Sequence, residues 1–261
     1  MGSLTQFAHK KVLDHILKTS SYSPPGAAAL ALGLSTADPL ETGAGWADPT
    51  YTGYARKNIA FGSAGSRIIA QNAVVTFDQC TVGSSLVTHW GIWDQIASGG
   101  NLLAHGQLAA SKTVTVGNTP SVASGQVTVT FSAGGIFTVI ANYILDWLFR
   151  AQAFAQPTNV KIALSTTIPT DGGPNITEPS GNNYGQVTLN TWNAATTATP
   201  GLADNNGAIT FGAPSGSWGT IVHAVVYKDT EPFVYVDVTD QAVGVGDTVQ
   251  FLTGALDITL T

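Results

Sequence analysis

The side chains in this sequence that could do chemistry are carboxylates, histidines and tryptophans. Asp38, Glu41 and Asp48 fall in one stretch punctuated by Pro and Gly, and Asp171 and Glu178 fall in another. Two acids flanking a sugar ring would make a glycosidase-like acid–base pair, with Asp48 and Glu178 as the acids to test. The same residues have a plainer use, because Asp among Pro and Gly accepts hydrogen bonds from turn backbones. We adopt that reading. Asp204-Asn205-Asn206-Gly207 offers oxygen ligands for calcium, yet it lacks the further spaced acids of an EF-hand loop and reads as a turn. The five histidines are scattered, and His89 and His223 occupy matching strand positions, where a repeated His reads as structural. No nucleophile elbow, P-loop, zinc-binding His-Glu-x-x-His or dinucleotide glycine pattern occurs. The expectation is therefore no catalytic residue, no cofactor and no metal.

Tryptophan rings can stack on sugars. Trp90 and Trp93 lie in an apolar strand and are expected in a core or an interface, whereas Trp46 and Trp192 fall in loop-like regions that suit a binding surface. The candidate interaction surface is Trp46, Asp48, Tyr51, Tyr54, Glu178, Tyr184 and Trp192.

The elements that must position these residues come in two sets. Leu34 and Leu164, Asp48 and Glu178, Pro49 and Pro179, and Tyr54 and Tyr184 are each 130 positions apart, about half the chain of 261 residues. Recurrence in register at half-length is the mark of an internal duplication. The first copy opens with apolar residues at helical spacing over residues 4–18, with Ser3 as N-cap and His9, Lys10, Lys11 and Lys18 on a polar face. Tyr22-Ser23-Pro24-Pro25-Gly26 stops that helix, and residues 27–34 read as a buried strand. A long excursion to Tyr54 follows, then β-like runs at 56–61, 73–77, 88–93, 102–108, 112–116 and 126–131. In the last run Val127, Val129 and Phe131 alternate with polar residues, as in a half-buried strand. The second copy repeats this order after Gly134-Gly135, beginning with a helix over 136–154 that is apolar almost all round. Such a helix needs cover on more than one side, either between the halves or against another subunit. The expected fold is mainly β (α+β): two tandem sandwich- or barrel-like domains, 1–134 and 135–261, each preceded by a helix.

Composition narrows the partners. Only 10% of residues are charged, against a usual ~25%, while 44% are hydrophobic, so the chain is folded rather than disordered. A net charge of -6 with ten dispersed basic residues disfavours nucleic acid and anionic membrane surfaces. No window is apolar and long enough for membrane insertion, and no secretory leader is recognisable, which implies synthesis in the cytoplasm. The single cysteine, Cys80, excludes an intrachain disulfide and reads as a small buried residue in a strand.

Several pieces together resemble a known group. Ser3-Leu4-Thr5, Leu13-Asp14-His15-Ile16-Leu17, the run from Leu32 to Pro39, Asp48-Pro49 and Gly53-Tyr54-Ala55-Arg56 are similar to motifs of small tailed-bacteriophage virion proteins of the tail-fibre or minor structural type. Asn206 to Phe211, Gly216 to His223 and Gly99 to Leu103 supply the remaining elements of the pattern. The second half departs from it at Gln186, which stands where the first half has Arg56. The resemblance implies a non-enzymatic structural component of the virion, made in the host cytoplasm and docked to other virion proteins on tail or capsid surface, as a homo-oligomer. The alternative it leaves open is a module that binds a host surface glycan or receptor.

Overall fold

The computed structural model describes residues 2–132, 135–172, 175–197 and 201–260. In the first half, β1 (Gly2–Leu4) leads into α1 (Gln6–Ile16), and a single 3-10 turn at Ala27–Ala29 precedes β2 (Ala31–Ser35). Next come β3 (Lys57–Asn58), β4 (Ile68–Ala70), β5 (Val75–Thr76), β6 (Ser84–Trp93), β7 (Leu102–Thr115), β8 (Ser121–Val122) and β9 (Thr128–Thr130). They form one curled sheet in the order β3-β2-β6-β7-β1-β9-β4, with β5 and β8 paired separately. Val127, Val129 and Phe131 are buried as their alternation predicts.

The second half repeats the set. α2 (Thr138–Arg150) is followed by β10 (Val160–Ser165), β11 (Val187–Thr188), β12 (Gly201–Asp204) and β13 (Ile209–Thr210). β14 (Gly219–Lys228), β15 (Glu231–Val243), β16 (Gln250–Phe251) and β17 (Asp257–Leu260) complete it. Its pairings β11-β10-β14-β15, β12-β17 and β13-β16 match those of the first half strand for strand. The halves differ at β1, which joins β7 to β9 and so extends the first sheet. At the corresponding place Ile136 makes a lone bridge to Val234, and the second half keeps separate sheets.

Each helix starts on its own half. The Thr5 and Gln6 amides donate to Leu103 and Glu41 carbonyls, and the Phe137 and Thr138 amides donate to those of Phe233 and Asp171. Each helix then runs onto the other half: α1 packs on β12 as well as on β7, and α2 packs on β4. One carboxylate per helix, buried in α1 and half-buried in α2, fixes the crossing. Asp14 Oδ1 accepts the Ala195 amide at 2.8 Å, and Asp146 Oδ1 accepts the Ala64 amide at 2.9 Å. Phe61 meets Phe149 at 5.2 Å between centroids, and Trp147 meets His15 at 4.5 Å, so the two helices and both halves share one core. Val12, Leu13 and Ile16 are fully buried, each burial contributing roughly 1.5–3 kcal/mol. α2 is thus covered by the first half, with Val139 and Tyr143 its exposed apolar residues.

Several expectations change. Thr5, not Ser3, caps α1, its hydroxyl accepting the Ala8 amide, because residues 2–4 are drawn into the sheet. Of the polar face of α1, Lys10, Lys11 and Lys18 stay partly exposed while His9 is buried, together with Asp14 and His15, where the second half covers them. Residues 27–29 form a turn rather than the start of a strand, and the runs at 102–108 and 112–116 are one strand, β7. Cys80 is buried but lies between β5 and β6, not in a strand. α2 is shorter than expected because Ala151 takes a left-handed conformation, φ 54, that ends it. Of the expected Gly134-Gly135 boundary, Gly134 lies outside the described residues.

Arg67 ties the link between the halves to both of them. Its guanidinium donates to the Ser132 and Ile136 carbonyls and to Thr138 Oγ1, and it pairs with Asp171 at 3.0 Å. Replacing Arg67 with Met should lower stability by roughly 2–3 kcal/mol in urea denaturation, since a charge-assisted set of bonds is lost. An unchanged midpoint would contradict this role.

Burial holds His9 and His15 below the ordinary value of 6.5, His9 against the pull of Glu41 and His15 against its bond to the Phe154 carbonyl. Their unfolded forms therefore bind protons first as pH falls, so stability is present above about 6.5 and is lost on acidification through the folded values. The melting temperature should drop between pH 7.5 and pH 5, and less so in the double variant His9→Gln/His15→Gln. An equal drop in both proteins would assign the effect to other groups.

Candidate functional site

The two excursions carry the candidate residues, and both are closed by the same staples. Tyr54 Oη accepts the Leu34 amide at 2.9 Å, and Tyr184 Oη accepts the Leu164 amide at 2.9 Å, tying each excursion's end to the strand it left. The Ser35 hydroxyl donates to the Ala37 carbonyl and accepts the Ala47 amide; Ser165 does the same with Thr167 and Thr177. The Thr36 and Thr166 amides donate to the carbonyls of Ala47 and Thr177. The repeated Leu-Ser-Thr and Gly-Tyr pieces are the two sides of one clamp.

The acids serve as acceptors within this clamp. Glu178 accepts from Tyr184 Oη at 2.9 Å, Tyr227 Oη at 3.0 Å and Gln186 Nε2 at 2.8 Å. Burial first, and the Glu178 carboxylate second, push the Tyr184 and Tyr227 phenols well above the usual range. Asp48 is exposed and accepts Trp46 Nε1 at 2.8 Å. Asp38 accepts the Leu40 amide in a local turn, and Asp171 takes Arg67 and the Tyr235 phenol. Glu41 accepts the Ser3 hydroxyl at 3.1 Å beside His105, whose Nε2 is 3.4 Å away. At that distance His105 has a charge partner but no well-formed hydrogen bond.

The outer face of the first sheet shows why Trp46 sits where it does. Gly33 and Gly91 are cross-strand neighbours, and a Cβ on Gly91 would come within 2.5 Å of the Trp46 ring. Trp46 therefore lies flat on a patch of bare backbone, edge-on to Trp93 at 5.1 Å, and the Arg56 guanidinium stacks on Trp93 at 3.6 Å. Arg56 also donates to the Gly99 carbonyl at 2.8 Å, which pins the β6–β7 turn. In the second half Ala163 and Val225 are the neighbours, and Ile176 stands in sequence where Trp46 does. Larger side chains on the strands accompany the smaller one in the excursion.

The structure does not bring the seven candidates into one surface. Trp46, Tyr54, Glu178 and Tyr184 are half-buried and Asp48 is exposed, divided between the two excursions. Tyr51 and Trp192 are buried, at 3% and 5% exposure, and present no ring to a ligand. Trp192 bridges Asn205 as Phe61 bridges Gln71, so it is a core residue of the second unit, its indole N–H held by the Leu189 carbonyl. Trp90 and Trp93 are buried as expected. Arg56, Tyr227 and Gln186 belong to these clusters and were missed as candidates; the Arg56/Gln186 mismatch between the repeats was the available signal. Among the described residues no three His, Cys, Asp or Glu side chains gather as metal ligands, and no helix is long and apolar enough to cross a membrane.

Both units match a family of tailed-phage fibre proteins. The family model described as podophage GP4 fiber I protein gp80 matches residues 3–130 and again residues 135–259, and the chain belongs to that family. No curated protein gives a significant match.

The clamp predicts an asymmetry in the second excursion. Glu178→Ala leaves the half-buried Tyr184 and buried Tyr227 phenols without their carboxylate acceptor and should cost about 1–3 kcal/mol in chemical denaturation, while Glu178→Gln should retain part of that. Equal stability of Glu178→Ala and the unaltered chain would remove Glu178 from the clamp.

Proposed function

We propose that this chain is a non-enzymatic structural component of the virion that docks onto other virion proteins at the tail or capsid surface, as a homo-oligomer. The observation that carries the reading is the double family match to a phage fibre protein, which supports a structural role and a virion location. The acids that suggested hydrolysis are engaged as acceptors for clamp or neighbouring donors, which favours a scaffold over a reaction centre. Two units, 1–134 and 135–261, offer two equivalent docking faces, and binding both at once raises avidity through effective concentration. Low charge suits attachment by shape and apolar contact. Labelling the chain on purified particles and imaging by electron microscopy should place it at a defined position on the particle. Absence of the chain from purified particles would overturn the proposal.

A second reading rests on Trp46, which is half-buried beside exposed Asp48 and edge-on to Trp93. Such an aromatic and charged patch suits a host surface glycan or receptor. Under this reading, Trp46→Ala particles assemble normally but adsorb to host cells at least about tenfold more slowly, a loss of ~1.4 kcal/mol. Normal adsorption by those particles would dismiss it.

A further inference from the structure

The contacts between the halves have a form that two unrelated packed domains would not produce. Asp14 binds the Ala195 amide and Asp146 the Ala64 amide, and these are matching positions of the two units. Lys10 reinforces Asp14 at 2.9 Å, and Arg150 reinforces Asp146 at 3.0 Å, each one helical turn away. Patch A of the first unit thus meets patch B of the second, while patch B of the first meets patch A of the second. That reciprocity defines an isologous, two-fold interface, the kind made by two copies of one protein.

The fit is close on both sides. A Cβ on Gly201 would come within 2.9 Å of His9 Cβ, so α1 lies against the bare backbone of β12. The Ala64 and Ala195 amides would be left without their acceptors if the helices withdrew. Each helix also brings fully buried apolar residues to the shared core: Val12, Leu13 and Ile16 from α1, and Ile144, Leu148 and Phe149 from α2.

We propose that the surface each unit offers to the other's helix is a self-recognition site for a second copy of the unit, and that the chain is a covalently joined pseudo-dimer with exchanged helices. The peptide link raises the local concentration of the second unit but is not what holds it. The occupant is the matching helix, because the contact from its Asp to an Ala amide of the other unit is made twice at the same repeat positions.

The test uses the full chain with a protease recognition sequence inserted between residues 132 and 135, cut after folding. The cut protein should remain one particle near 26.9 kDa in sedimentation and native mass spectrometry. The Ala64 and Ala195 amides should stay as protected from hydrogen exchange as in the uncut chain. Refolding a mixture of two differently tagged cut samples should give mixed pairs. Asp14→Ala and Asp146→Ala should each raise the dissociation constant of the cut protein about tenfold or more. In the uncut chain, Asp14→Ala should expose the Ala195 amide and Asp146→Ala the Ala64 amide, a readout that does not depend on cutting. Separation or unfolding of the cut chain overturns the proposal, as does protection of both amides that ignores the Asp substitutions.

Discussion

A carboxylate inside a protein has to be met by donors, and the two that cross between the halves set the conditions for the rest of this fold. Asp14 is buried, which by itself raises its pKa, but Lys10, Thr19 and the Ala195 amide together outweigh that and hold it below the ordinary carboxylate value. One of those three donors belongs to the other half. The second unit thus helps to hold the anion in α1, and on the other side Asp146 accepts the Ala64 amide of the first unit. Helices of 11 and 13 residues are marginal alone, so their persistence rests on packing, part of it supplied by the other unit.

Much of the architecture was readable because it is local. The 130-residue offset, the alternation at Val127, Val129 and Phe131, and the proline stop after α1 are written in neighbouring residues. What could not be read is which surface covers which. An amphipathic pattern says that Leu13 is buried and leaves Asp14 and His15 on a face that looks wet; only the second unit, folded over it, makes that face dry. Tryptophan misled for the same reason. Trp46 and Trp192 both sit among turn formers, but one lies on a glycine patch at the surface and the other fills a core position occupied by Phe61 in the first unit.

The excursions show how the duplicated unit has diverged without losing its clamp. Backbone-directed bonds from Ser35, Tyr54, Ser165 and Tyr184 survive in both copies because they need only a hydroxyl at the right place. Side-chain contacts around them have been exchanged as sets. Where the first unit holds an indole, a guanidinium and two glycines, the second holds phenols, an amide, a carboxylate and two larger strand residues.

This pattern bears on docking. A partner that engages both units in equivalent ways can recognise only what they share, namely the path of the clamped excursions and the strands beneath them. A partner that reads side chains meets a half-buried Trp46 and an exposed Asp48 on one unit and a half-buried Tyr184 and Glu178 on the other. The first kind of contact is indifferent to which half it meets, and the second is not. If the units dock as proposed, shared shape suits attachment to repeated sites, while the exchanged side chains are where one half can acquire a contact the other lacks.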